Sequence, residues 1–510
     1  MNEEVAQEEN LNKNRKNVKK NYIYNVIYQL FLIIVPLVVT PYISRVLLPE
    51  GVGKYSFSFS IITYFTIFGA LGFGFYAQRE IAKHQNDLEA QSRVFWEINI
   101  CRLLPVFVSL ITNVIICISG LYKEYTNLMW IFNLNIFALI FDIAFYFQGN
   151  ENFLKLVLRN VIIKSLSIVL IFVFVKKQED LWIYTLINAL LVVVSNLSLF
   201  VGIHKYLVKV SLKSLRPFRH LPGTLKLFIP TIATSIYTVL DRTLVGLLIA
   251  DTYTVIENGK EIIIKASDIE NGYYEQSEKI IKMSLTIITA LGSVMIPRNS
   301  NEIALGNIEK VKENIYKTTK LVWLIGIPMT LGFICVAANM VPWFFGDGYE
   351  KCIILMQIFS PLILIIGFSN VFGLQYMVPK GEDRNFSIAL IAGAFINLIL
   401  NCIFIPFYWS IGAAIASIIA ELCVTFIMAM MVKKDISMIK VLFSSWKYLI
   451  AGAIMFVPCW LLNMYLTSSI INTFIIVVAG VLSYIIVLLL LRDEILIGTI
   501  KKLINKVKKS

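Results

Sequence analysis

The sequence predicts an all-α polytopic membrane protein with about fourteen transmembrane helices. Two observations carry that reading. Of the 510 residues, 57% are hydrophobic and 15% charged, with a mean hydropathy of +0.74, whereas a soluble chain is about 25% charged. The apolar residues also come in blocks of about twenty, enough helix to cross about 30 Å of hydrocarbon, rather than in the one-sided stripes of a soluble helix.

In chain order, residues 1–20 form a polar tail, acidic at Glu3, Glu4, Glu8 and Glu9 and then basic from Lys13 to Lys20. Six apolar spans follow at about 22–47, 55–77, 95–119, 127–148, 154–176 and 181–204. The first is too long for the apolar region of a signal peptide and is expected to stay as an uncleaved span. A basic stretch then leads to spans at about 225–250, 272–297, 319–342, 351–378, 385–406 and 409–432, and to two more at about 446–466 and 470–491. The fifth and sixth, and the eleventh and twelfth, are separated only by tight turns. Between the seventh and eighth lies a polar loop, 251–271.

Charge in the loops sets the orientation. Loops after even-numbered spans are basic, as with Lys205, Lys209, Lys213, Arg216, Arg219 and Lys226 after the sixth; loops after odd-numbered spans are poorer. Both termini are therefore expected to be cytoplasmic. The same placement accounts for the net charge of +13 without nucleic acid. The seven cysteines include no CxxC pair, so neither a zinc site nor a disulfide framework is indicated. His84, His204 and His220 fall in cytoplasmic loops and are expected to be solvated. No GxxxxGK[ST] phosphate loop occurs and no loop is long enough for a catalytic domain. The chain is thus expected not to be an enzyme and to use no cofactor or metal.

An internal frame, G-x-Y-x-x-S-x-x-I-I, occurs at Gly53–Ile62 and again at Gly272–Ile281. Each copy is expected at the turn of a hairpin and follows a span bearing an arginine, Arg45 or Arg242. Six spans separate the copies, so the halves would be parallel repeats.

Several charges lie inside the spans. A charge at the centre of a membrane helix costs roughly 2.5–3.5 kcal/mol on insertion scales, so such residues are candidates for a polar route or for pairing across helices. The cations Arg45, Arg102, Lys164, Arg242, Lys279 and Lys282 are the candidate substrate-binding set, with Arg159 nearer a span end. Asp142, Asp241, Glu278 and Glu421 are the candidates for ion coupling or pairing, and Glu97 lies near a span end. Asp241 and Arg242 are adjacent, hence about 100° apart on a helix, and cannot simply neutralise each other. A surplus of intramembrane cations suits an anionic cargo, because phosphate pairs naturally with Arg and Lys.

The segments PYISRVLLPEGVGKYSFSFSIITYF (41–65), LDRTLVG (240–246), GYYEQSEKI (272–280), GSVMIPR (292–298) and IAGAFINLILNCIFIPFYWSIGAAIASIIAE (391–421) resemble those of Wzx-type polysaccharide repeat-unit flippases, the capsule and O-antigen transporters of the multidrug/oligosaccharidyl-lipid/polysaccharide exporter superfamily. The resemblance covers nearly the whole chain. It implies two pseudo-symmetric six-helix lobes around a central cationic cavity, with two additional C-terminal helices. On this chain that gives a tail at 1–20, an N-terminal lobe at 21–205, a basic cytoplasmic linker at 206–224, a C-terminal lobe at 225–433, and two further helices with a basic tail at 434–510. It also implies alternating access to an undecaprenyl-pyrophosphate-linked oligosaccharide in the bacterial cytoplasmic membrane, with a polysaccharide polymerase and glycosyltransferases as partners. The loop 251–271 is longer than the family minimum. Lipid II or another lipid-linked cargo is an alternative, as is a membrane-embedded polymerase or transferase.

Overall fold

The computed structural model describes the backbone of residues 2–257, 260–498 and 501, and side chains from Phe31 onward except at scattered positions, chiefly within 229–237 and 255–262. The basic tail beyond Lys501 and the side chains of the charged segment 1–20 lie outside the described residues. The helices are α1 (Asn2–Ala70), α2 (Phe73–Lys83), α3 (Leu88–Ile118), α4 (Thr126–Ala138), α5 (Ala144–Gly149), α6 (Phe153–Phe174), α7 (Leu181–Val201) and α8 (Leu221–Leu248). Two strands follow, β1 (Thr252–Glu257) and β2 (Lys260–Lys265). The chain then continues as α9 (Ala266–Ala304), α10 (Ile308–Phe345), α11 (Lys351–Phe359), α12 (Leu362–Phe372), α13 (Asp383–Val432), α14 (Met438–Phe443), α15 (Trp446–Tyr465) and α16 (Ile470–Leu490).

Among the described residues, 11 helical segments are long and apolar enough to cross a membrane. Two of them, Ile34–Lys83 and Asp383–Val432, are 50 residues each. A straight helix of that length would measure about 75 Å, more than twice the hydrocarbon thickness. Each instead reverses at a non-helical residue, Leu48 (φ 57°) or Trp409 (φ 54°), so each makes two spans; the first is interrupted again at Leu71–Gly72, between α1 and α2. Leu48 precedes Pro49, whose ring disfavours helical backbone at the residue before it. With those two counted double and the 28-residue α8 added, the total is the fourteen spans expected. Large apolar side chains such as Phe407 and Leu490 stand 77% and 76% exposed, which is stable only against lipid.

The repeated frame does not sit at the hairpin turns. Residues 53–62 and 272–281 are helical throughout, in the first turns of the outgoing helix in both copies. Reversal comes earlier, at Leu48-Pro49 in one hairpin and through β1 and β2 in the other.

Contacts divide the chain into two compact units, Met1–Val239 and Leu240–Ser510, the division falling within α8. In the first unit the fourth span is interrupted. α4 ends in a 3₁₀ turn at Leu139–Phe141 and an extended Asp142 before α5 begins. Carbonyls freed by such a break must find donors in a medium without water. Arg102 of α3 supplies them: its guanidinium donates to the carbonyls of Ile140 (3.1 Å) and Asp142 and to Oδ1 of Asn99 (2.7 Å). Close packing of α2 on α5 requires Gly149, where a Cβ would come within 2.8 Å of the Gln78 carbonyl oxygen.

In the second unit, Tyr274, Phe359, Ile363, Val371 and Ala413 form part of the main core. α15 and α16 pack on α10 around Met455, Cys459 and Ile476. β1 and β2 form an antiparallel hairpin in which Tyr253 faces Ile264 and Glu257 faces Lys260, so the polar loop of the sequence has regular structure. Tyr253 meets the Trp409 ring edge-on at 6.3 Å, and the Lys351 ammonium lies 5.1 Å over the same ring. Lys351 Nζ pairs with Glu270 at 2.7 Å, and Glu270 also accepts from the Ser410 hydroxyl and, at 3.3 Å, from its backbone N–H. This network holds Trp409 in a backbone conformation that a bulky residue rarely adopts. Glu270→Ala is expected to cost about 1–3 kcal/mol through the lost charge-assisted bonds, read as a lowered melting temperature of the purified protein.

Candidate functional site

α8 and α9 carry the charge-rich seam of the second unit. Asp241 and Arg242 point to different helices, as their adjacency requires. Arg242 turns to α9, its Nε 2.9 Å from Glu275 and its Nη2 2.6 Å from Glu278. Lys279 pairs with Glu275 at 3.3 Å and Lys282 with Glu278 at 2.7 Å. Those lysine–glutamate pairs are i,i+4 on α9, so the helical repeat itself puts each lysine beside its glutamate. Three cations thus face two carboxylates, leaving one positive charge over. The Arg242 and Glu278 side chains are 14% and 8% exposed, Lys279 and Lys282 31% and 42%. The lysine heads are therefore the accessible part of the seam.

Asp241 turns to α13. It is buried, and Oδ2 accepts from the Tyr274 hydroxyl at 2.5 Å and the Ser417 hydroxyl at 2.6 Å. Oδ1 accepts from Asn401 Nδ2 at 2.6 Å, and the same amide reaches Asn397 Oδ1 at 3.0 Å. Asn397 and Asn401 precede the break at Trp409 and Ser417 follows it, so both halves of α13 supply groups to one buried polar knot. Within it Asn401 Oδ1 and Asn397 Nδ2 have no hydrogen-bond partner among the described residues. A buried oxygen left open beside a carboxylate is costly.

The other candidates make none of the contacts of this seam. Arg102 is buried and engaged in the fourth-span break described above, where Asp142 contributes its carbonyl and accepts from Ala144 N–H at 3.2 Å. Lys164 is an exposed residue on α6. Arg45 is exposed on α1 and donates to the Pro41 carbonyl at 3.3 Å. Glu421 is half-buried on α13. Glu275 was not singled out in the sequence, although it stands one turn before Glu278 and Lys279. Tyr274 is the tyrosine of the repeated frame, whereas Asn397, Asn401 and Ser417 carry no charge and gave no signal.

One expectation is corrected. His220 is not solvated: it is 3% exposed. Its Nε2 lies 2.9 Å from Glu97 and its Nδ1 2.9 Å from the Tyr76 hydroxyl. Glu97 also accepts from Arg219 at 2.6 Å and from the Arg216 backbone N–H at 2.8 Å. The segment before α8 is therefore latched to α3 through one carboxylate. A neutral imidazole protonated on Nε2 satisfies both contacts. Burial pushes the His220 imidazole below its ordinary range, while the Glu97 carboxylate opposes that shift. The unfolded chain then takes up the proton first. The stability from this latch is present above about pH 6.5 and falls as pH drops from there through the lowered folded value. The melting temperature is expected to decline on acidification over that range, and the decline to shrink in His220→Gln.

Comparison with known proteins agrees with this architecture. Residues 18–303 match the family model described as polysaccharide biosynthesis protein. A putative O-antigen transporter of Escherichia coli (strain K12) is 26% identical over 429 residues, 83% of this chain and 99% of the relative. A putative O-antigen transporter of Shigella dysenteriae is 22% identical over 419 residues, 78% of this chain and 96% of the relative. Among solved structures, the lipid II flippase MurJ in an inward closed conformation superposes with a TM-score of 0.63 at 17% identity, covering 90% of this chain and 100% of that one. An inward-facing multidrug resistance MATE family transporter superposes with a TM-score of 0.60 at 16% identity, covering 81% and 98%. The fold is that of these all-α polytopic transporters, and the resemblance to Wzx-type members of their superfamily stands. With a match spanning more than half of its length, the chain belongs to the polysaccharide biosynthesis protein family.

Proposed function

We propose that this protein carries undecaprenyl-pyrophosphate-linked oligosaccharide repeat units from the inner to the outer leaflet of the bacterial cytoplasmic membrane by alternating access, for surface polysaccharide assembly. The observation that carries the reading is the seam Arg242–Glu275–Glu278–Lys279–Lys282, with one positive charge over, a half-buried Lys279 and an exposed Lys282 on membrane-spanning helices, in a chain of this family. Such a cargo needs a polar path: each sugar hydroxyl stripped of water costs roughly 4–8 kcal/mol in an alkane-like medium, while the polyprenyl tail can stay in lipid. Arg242, Lys279 and Lys282 offer the pyrophosphate charge-assisted bonds, with Lys164 and Arg45 as further cations of the first unit, while Arg102 is spent on the fourth-span break. Outward movement of about two negative charges is favoured by the inside-negative potential, by roughly 2.3 kcal/mol per charge per 100 mV. Asp241, with the open Asn401 oxygen beside it, is the group for coupling to a proton or cation gradient. Both termini are cytoplasmic in this reading, and polymerase and glycosyltransferases work beside it.

Lipid II is the second reading, favoured by the likeness in fold to a lipid II flippase. Proteoliposomes loaded with lipid-linked oligosaccharide test the two together. The expected result is transfer of the oligosaccharide lipid to the far leaflet, faster with an imposed potential, and little transfer of lipid II. Transfer of lipid II alone would replace the first reading by the second.

A further inference from the structure

At one end of the first unit, α2, α5 and the start of α6 enclose a cleft of about 470 Å³ lined by Phe75, Gln78, Arg79, Gln85, Gln148 and Phe153, among others. It is a built feature. Gly149 lets α5 rest directly on the Gln78 backbone, and Gln85 Nε2 donates to the Gly149 carbonyl at 2.5 Å, closing one side. Three glutamines therefore come together, Gln78 of α2 and Gln85 of the turn after it with Gln148 of α5, 63 to 70 positions away. Gln78 and Gln148 are half-buried, and neither amide has a hydrogen-bond partner among the described residues. Phe75 is 69% exposed and Phe153 38%. The Arg79 side chain is 57% exposed, with Glu80 no nearer than 3.8 Å.

The chemistry of this lining is selective. An amide both donates and accepts, which matches the neighbouring hydroxyls of a pyranose. An exposed phenyl face packs against its C–H groups, and Arg79 and Glu151 in the same lining, one charge of each sign, suit a neutral hydroxylated sugar rather than an anion. A pyrophosphate would call for several converging cations, and a lipid tail for an apolar groove; neither describes this cleft. Its volume lies in the ordinary range for small-ligand sites, about 300–1,000 Å³. The ends of the second and fourth spans and the turns after them form it, which places it at the cytoplasmic end under the charge-derived orientation. Resting on the proposed function, we infer that this cleft is a saccharide site: it reads a sugar of the lipid-linked cargo on the cytoplasmic side, apart from the seam that meets the pyrophosphate.

The test uses the full-length protein in nanodiscs and two probes, the lipid-linked oligosaccharide extracted from the source cells and bare undecaprenyl pyrophosphate. The wild type is expected to bind the sugar-bearing lipid more tightly. Gln78→Ala/Gln148→Ala is expected to weaken that binding by about tenfold or more, the loss of one or two hydrogen bonds, and to leave binding of the bare lipid within about twofold. Phe75→Ala, at an exposed site that folding does not need, is expected to act in the same direction. A double variant that keeps the sugar preference, or that loses both lipids equally, would overturn the saccharide site. A wild type that binds neither lipid would overturn the flippase reading itself.

Discussion

Arg242→Ala is expected to abolish export of surface polysaccharide while the protein still reaches the membrane in normal amount. The guanidinium bridges Glu275 and Glu278, and removing one member of a buried pair costs about 3–5 kcal/mol when the other is left unpaired. Here the cost is smaller, because Lys279 and Lys282 continue to hold the two carboxylates. What is lost is the rigid two-armed cation. Arg242→Lys keeps the charge and one of the two contacts, and is expected to retain part of the export. A triple change, Arg242→Ala with Glu275→Gln and Glu278→Gln, separates two roles. It removes the stranded carboxylates, so export that returned would make Arg242 a structural charge. Export that stays lost in a stable protein fits a group that meets the cargo. Quantitative surface-polysaccharide assay beside a membrane-fraction immunoblot reads both.

Asp241→Asn is the second change with a large expected effect. The carboxylate takes three hydrogen bonds, from Tyr274, Ser417 and Asn401. The two hydroxyls can turn to accept instead of donate, so the fold is expected to survive at a cost of about 1–3 kcal/mol. The group can no longer bind and release a proton or cation. Transport in proteoliposomes is expected to fall about tenfold or more and to stop responding to an imposed ion gradient. An unchanged rate with an unchanged gradient response would remove Asp241 from coupling.

Much of the fold was legible because bilayer thickness imposes a length on every span. The last two spans, read at about 446–466 and 470–491, appear as Trp446–Tyr465 and Ile470–Leu490. The tight turn between the eleventh and twelfth spans is the single residue Trp409. The hairpin at 252–265 was legible and passed over: Asn258-Gly259 is the pair that two-residue hairpin loops favour, and the flanking TYTVIE and KEIIIK are rich in strand formers. The site was harder to read. Charge flagged Asp241, Arg242, Glu278, Lys279 and Lys282, and an i,i+4 count would have added Glu275. The burial of His220 had no local signal, because its partners Tyr76 and Glu97 lie 144 and 123 positions away. Arg102 was flagged by its charge, yet its donors go to carbonyls exposed by a helix break that the apolar pattern of 127–148 does not reveal.

Leaflet-resolved lipid analysis of cells lacking this protein tests the central claim most directly. The expected result is undecaprenyl-linked oligosaccharide stranded on the cytoplasmic leaflet, with surface polysaccharide lost and restored by the wild-type gene. Normal surface polysaccharide with no stranded intermediate would contradict it.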